Sequence, residues 1–156
     1  MTLAKRLKAM GQQKYQNDGD PRTSGPGFKL TCHDDALDIP KGWKAPKTIF
    51  VNSMSDLFHH MVPTQYIAQV FATMALAPAH TFQILTKRSD RMLEFLEQSD
   101  LLEDIYANWS TFSGGPREVE AWPLRNVLIG ASVEDQRRAD ARRRFDLQDL
   151  AERGWR

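Results

Sequence analysis

Three apolar runs of this sequence finish alike. "VNSMSD", "LTKRSD" and "GASVED" each set a hydroxyl at the end of the run and a charge just beyond it. Small hydroxyls let a ligand approach. Lys87 and Arg88 could meet a carboxylate or phosphate, and Asp56, Glu134 and Asp135 could accept from an amine or a ribose hydroxyl. The same residue types cap helices, so at any single junction capping and ligand binding are both open readings. Three junctions on one sheet edge, with a Lys-Arg pair among them, favour the ligand site.

Other chemistry-bearing residues read more plainly. His59 and His60 are adjacent, so on a regular helix or strand their side chains diverge and a shared metal is not expected. Cys32-His33 falls at the end of an apolar run, where a structural role outweighs a nucleophilic one. His80 follows "APA" and suits the satisfaction of backbone groups in a turn, and Trp43 in "PKGWKAPK" suits packing under a loop. The sequence has no G-x-G-x-x-G, P-loop, H-E-x-x-H or G-x-S-x-G, against the commonest nucleotide, metalloprotease and hydrolase chemistries.

The elements that must position these residues are four strands and the helices after them. The strands are "FKLTCH" from Phe28, "TIFVNS" from Thr48, "HTFQILTK" from His80 and "NVLIGAS" from Asn126. The second and fourth are continuous apolar runs, the pattern of strands covered on both faces of a parallel sheet. Between the second and third, Tyr66, Ile67, Val70, Phe71 and Met74 share one helical face, with Pro63 near the start and Pro78 just past the end. After the third, Ser89 is the expected N-cap of a helix whose stripe is Met92, Leu93 and Leu96. Alternation of this kind predicts an α/β fold with right-handed βαβ crossovers. Residues 12–27 and 107–125 read as loops and 134–156 as an arginine-rich C-terminal helix, the whole chain 1–156 forming one domain.

Composition narrows the class. With 156 residues the chain is long enough for one cored domain and short for a complete (β/α) barrel. Apolar residues are 41% and charged ones 26%, as in ordinary globular proteins, and no apolar run is long enough to span a membrane. The N-terminus has no secretory signal pattern, so a cytoplasmic location is expected. A net charge of +1 gives no global field for nucleic acid. In "DQRRADARRRFDLQDLAERGWR" acids interleave with arginines, which suits an ion-paired helix face better than a phosphate-contacting one. One cysteine, Cys32, can form no intrachain disulfide and cannot alone hold a zinc or iron–sulfur centre.

"AKRLKAMG..KY", "ALDIPKGWKAPKTIFVNSMSDLFH", "APAHTFQILTKRSDRM" and "WPLRNVLIGASVEDQ" resemble successive blocks of a phage-associated family of unknown function described by a three-cysteine motif. Its "SMSDLF" and "LTKR" blocks are similar to the spore-photoproduct-lyase-like branch of the radical S-adenosylmethionine superfamily, and the likeness runs from about Leu3 to about Arg144. The resemblance implies a partial parallel (β/α) barrel with a [4Fe–4S] cluster and S-adenosylmethionine at the strands' carboxyl ends. It would set Ser53, Ser55 and Asp56 near the cofactor's amino end, Thr86, Lys87 and Arg88 toward its carboxylate or a substrate anion, and Ser132 and Glu134 toward ribose or substrate.

The sequence departs from that pattern in two places. The cysteine motif belongs just before "LAKRLKAMG", where Met1-Thr2 stand, and "FDLQDLAERGWR" does not resemble the family's continuation. The expectation is an inner segment of the barrel, incomplete at both ends and without catalysis by this polypeptide alone. Its exposed sheet edges would suit a partner protein or a missing segment. The alternative function is a non-catalytic phage-encoded module binding a host protein or nucleic acid; a third is a decayed prophage product.

Overall fold

The β-branched and aromatic run Thr48–Val51 forms strand β1, Thr81–Thr86 forms β2 and Val127–Ala131 forms β3. Helix α1, Thr64–Leu76, links the first two strands, and α2, Ser89–Leu96, follows the second. The computed structural model describes residues 6, 9–11, 30, 32–53, 55–98, 105 and 123–132. The chain divides into two compact units, 1–32 and 33–156. In the first, Met10 N–H donates to Arg6 C=O at 2.8 Å, and Gly11 follows at φ +76°, a left-handed value that favours glycine.

The second unit holds the sheet. Its strands are parallel in the order β1-β2-β3, with Ile49 opposite Phe82 and Ile84 opposite Ile129. Chain order and spatial order coincide, as a succession of βαβ units produces. Among the described residues the sheet is open and has three strands. Leu30, Cys32 and His33, from the run expected as a first strand, lie outside any strand, because "HDDA" winds instead into a 3-10 turn over Asp34–Ala36. Loop 12–27, most of loop 107–125 and helix 134–156 fall outside the described residues.

Register decides which side chains share a face. Phe82, Ile84, Thr86 and Val127 lie on one face and are buried. Ile67, Val70, Phe71 and Met74 of α1 and Met92, Phe95 and Leu96 of α2 are buried too. Phe95 packs 5.3 Å from Phe71 and 6.0 Å from Phe58, centroid to centroid, so one aromatic cluster joins both helices to the loop after β1. The α1 stripe is as expected; on α2, Phe95 is buried and Leu93 only half-buried. The other sheet face is open: Phe50 is 48% and Leu85 45% exposed. Double-sided cover, expected for the continuous run that holds Phe50, is therefore absent at that residue.

Two polar devices close the amino edge of the sheet. Asn126 Nδ2 reaches the carbonyls of Met74, Ala77 and His80 at 2.9, 3.3 and 3.2 Å, tying β3 to the turn between α1 and β2. The buried His80 accepts from Lys47 N–H through Nδ1 at 3.2 Å and donates from Nε2 to Pro40 C=O at 2.9 Å. That is the backbone-satisfying role expected of it. Trp43 stands edge-on to His80 at 5.8 Å with the Lys47 ammonium 4.9 Å from its ring centre. No helix among the described residues is long and apolar enough to cross a membrane.

Candidate functional site

β1 ends at Val51, and Asn52 at φ 60° turns the chain, a left-handed conformation that asparagine tolerates better than most residues. Ser55 N–H closes the turn on Asn52 C=O at 3.1 Å, and Asp56 then enters the gap between the ends of β1 and β2. Its carboxylate is held from four sides. Oδ1 accepts from Phe58 N–H at 3.0 Å and from Thr86 Oγ at 2.7 Å; Oδ2 accepts from Lys87 N–H at 3.0 Å and from the Arg88 guanidinium at 3.3 Å. A carboxylate has about four lone-pair sites, so the chain itself fills them.

Thr86 completes the clamp. While donating to Asp56, its hydroxyl accepts Arg88 N–H at 2.9 Å, tying down the backbone that leads into α2. That explains why Ser89 is not the N-cap: the helix begins at Ser89, the cap position is Arg88, and the acceptor comes from Thr86 on the strand. Burial raises the Asp56 carboxyl pKa, but the bonds from Lys87 N–H, Thr86 and Phe58 N–H, with the Arg88 charge, outweigh it and leave the value below 3.8. The Asp56 side chain is 15% exposed and that of Arg88 37%, so Arg88 keeps a wet face beyond the pair.

Around this clamp lie groups that the sequence pattern did not mark. The His59 and His60 rings, expected to diverge, stack with centroids 4.2 Å apart and planes 35° apart. They do so because the segment is irregular turn, with His59 N–H on Asp56 C=O at 3.0 Å and Val62 N–H on His59 C=O at 2.8 Å. Arg91, one turn into α2 from Arg88, donates to the carbonyls of His59 and Val62 and anchors that turn. Partial desolvation, with Arg88, His60 and Arg91 adding to it and Asp56 opposing, pushes the His59 pKa below 6.5.

The expected site residues divide three ways. Asp56, Thr86, Lys87 and Arg88 are directly bonded together. Ser132 N–H donates to Thr86 C=O at 2.8 Å, which sets it beside the clamp at the end of β3. Ser53 and Ser55 are exposed in the turn after β1, and Glu134 and Asp135 lie outside the described residues. His33 is held at the start of α1, where its backbone N–H and C=O both bond the Tyr66 hydroxyl, at 3.2 and 3.3 Å.

The two groups implied by the resemblance fit unequally. A [4Fe–4S] cluster does not fit this chain: Cys32 is its single thiol, and no cluster of three metal-ligating side chains occurs among the described residues. The carboxylate of S-adenosylmethionine would meet Arg88, whose side chain stays 37% exposed beyond its bond to Asp56. Its ammonium would meet exposed hydroxyls at Ser53 and Ser55 sooner than Asp56, whose acceptors are taken.

Compared with known families, residues 1–152 match the model described as "Protein of unknown function (DUF5131)". No curated protein and no solved structure matches the chain.

Proposed function

From a chain that belongs to the DUF5131 family, a family of unknown function, we propose a small-molecule-binding α/β scaffold whose carboxyl sheet edge receives an anionic group. By the resemblance, the molecule is S-adenosylmethionine, and the scaffold is the phage-related, barrel-type inner segment of a radical enzyme. The carrying observation is the saturated Asp56 carboxylate. A buried-side carboxylate with four donors is a holder, and what it holds is the Lys87 backbone and the Arg88 guanidinium. Asp56 is thus a positioning residue, and Lys87 and Arg88 are the ligand's partners. Ser53, Ser55 and Ser132 offer hydroxyls around the same edge. These residues bind and orient; with one thiol in the chain, no radical step is assigned to it.

The test is calorimetric titration with S-adenosylmethionine and S-adenosylhomocysteine. Removing a charged hydrogen-bond partner is worth about 1.5–3 kcal/mol, so Arg88→Ala and Lys87→Ala should each weaken binding roughly ten- to hundredfold. A folded protein that binds neither compound sinks the reading.

A second reading is favoured by the open sheet face. Phe50 and Leu85, 48% and 45% exposed, leave apolar surface on a parallel sheet, which is normally covered on both sides. A non-catalytic module that docks a host protein through this face predicts a partner whose binding is lost in Phe50→Ser with S-adenosylmethionine binding unchanged.

A further inference from the structure

We propose that the stacked His59–His60 pair and Arg88 form a proton-linked binding site for a phosphate monoester or diphosphate group of a small molecule. This rests on reading the carboxyl edge as an anion site and names a second anionic group there.

Asp56 links the groups: its C=O accepts His59 N–H at 3.0 Å and its carboxylate accepts the Arg88 guanidinium at 3.3 Å. Arg88 commits one N–H to Asp56, and its guanidinium carries five. The remaining ones bond no described residue. His59 Nδ1 accepts Met61 N–H at 3.3 Å, and neither His59 Nε2 nor the ring nitrogens of the exposed His60 hydrogen-bond a described residue. Arg91 differs: its guanidinium is spent on the carbonyls of His59 and Val62, so it fixes the turn and contributes field only.

Charge then selects the ligand. Arg88, Arg91 and His60 all disfavour a proton on His59, and Asp56 alone among the charged groups acting on it favours one. Two imidazolium rings at 4.2 Å would repel each other, and this adds to what disfavours a proton on His59. A doubly charged anion seated between the pair and Arg88 removes that repulsion and accepts the new N–H donors. Arg88 already answers the single charge of Asp56, so a ligand carrying one charge would leave the histidines unmatched where a dianion would not. Phosphate esters have a second pKa of about 6, in the window where histidine titrates, so ligand and His59 can exchange one proton on binding.

The sign follows from linkage. In the free protein the surroundings of His59 disfavour its protonated form and lower its pKa from the ordinary value of 6.5. A bound dianion raises it, so binding takes up a proton and tightens as pH falls, by up to about tenfold per pH unit between the free and bound pKa values.

The experiment is an NMR titration of the histidine rings, at constant ionic strength, with inorganic sulfate and inorganic phosphate. Sulfate stays a dianion throughout, so any pH dependence with it belongs to the protein. The expected result is an upward shift of the His59 titration with either anion, and affinity that rises toward low pH. His59→Asn, which keeps an acceptor for Met61 N–H, should abolish the pH dependence and His60→Gln should weaken anion binding, while S-adenosylhomocysteine binding is unchanged in both. Equal affinity at about pH 7.5 and about pH 6, or ring titrations that do not move, overturns the proposal. A short oligonucleotide without terminal phosphates that binds more tightly than either anion also overturns it, in favour of a nucleic-acid backbone. Loss of S-adenosylhomocysteine binding with the proton-linked anion site intact defeats the cofactor reading alone.

Discussion

Asp56→Asn is a nearly isosteric change with a large expected effect. With its oxygen toward Phe58 N–H and Thr86, asparagine keeps the contacts at 3.0 and 2.7 Å, but its NH2 then faces Lys87 N–H and the Arg88 guanidinium, donor against donor. The Lys87 bond to a charged acceptor is worth about 1.5–3 kcal/mol. The Arg88 pair, 37% exposed on the arginine side, adds at most about 1 kcal/mol after solvent screening. Two surviving bonds weaken from charged to neutral acceptors. The sum is about 3 kcal/mol, a sizeable part of a typical domain's stability and a melting-point drop of about 6–12 °C for a chain this long. Urea unfolding followed by circular dichroism and tryptophan fluorescence measures it. Thr86→Val removes the shared hydroxyl, and in a double-mutant cycle the two changes should couple by about 1 kcal/mol or more. A loss under about 1 kcal/mol for Asp56→Asn, or strict additivity with Thr86→Val, refutes the clamp.

Other outcomes follow from the same geometry. Because the Asp56 pKa is held below 3.8, its stabilisation is complete above that value and disappears as pH falls through the lower folded value; the urea-midpoint gap between wild type and Asp56→Asn should therefore be flat near neutrality and close in acid. Asn126→Ala removes a donor shared by three carbonyls between α1 and β2, two of which keep a backbone N–H, and should cost about 1 kcal/mol, read from the same unfolding curves. Phe95→Ala empties the cluster between Phe58 and Phe71 and should cost about 3–5 kcal/mol. Gly130→Ala places a Cβ 3.3 Å from Leu85 Cδ1, but Leu85 is 45% exposed and can swing away, so stability should stay within about 0.5 kcal/mol.

How far the sequence reached depended on whether the signal was local. "TIFV", "TFQILT" and "VLIGA" are apolar enough to be strands wherever they sit, and helix-length spacers between them made the sheet parallel. "FKLTCH" looked similar, yet Leu30, Cys32 and His33 are not in a strand, since pairing is settled by neighbours and not by the run itself. The shared polar edge was legible because parallel strands force their ends together. The bond between Asp56 and Thr86, thirty positions apart, was not, and neither was the transfer of the capping task from Ser89 to Thr86. The His59–His60 stack escaped for another reason: neighbours diverge only on a regular element, and this pair sits on a turn anchored by Arg91. The apolar runs of β1 and β2 also gave no hint that Phe50 and Leu85 would stay open, because periodicity cannot tell a covered face from one left for a partner.

At the centre stands the claim that the ends of β1, β2 and β3 hold Lys87 and Arg88 out to an anionic group, with Asp56 as their brace. Backbone NMR of the labelled chain titrated with S-adenosylmethionine tests this residue by residue. Shifts should gather at Ser53, Asp56, Lys87, Arg88 and Ser132 and spare Lys47, His80 and Asn126 at the opposite edge of the sheet. Shifts centred on that opposite edge, or none at saturating ligand, contradict it.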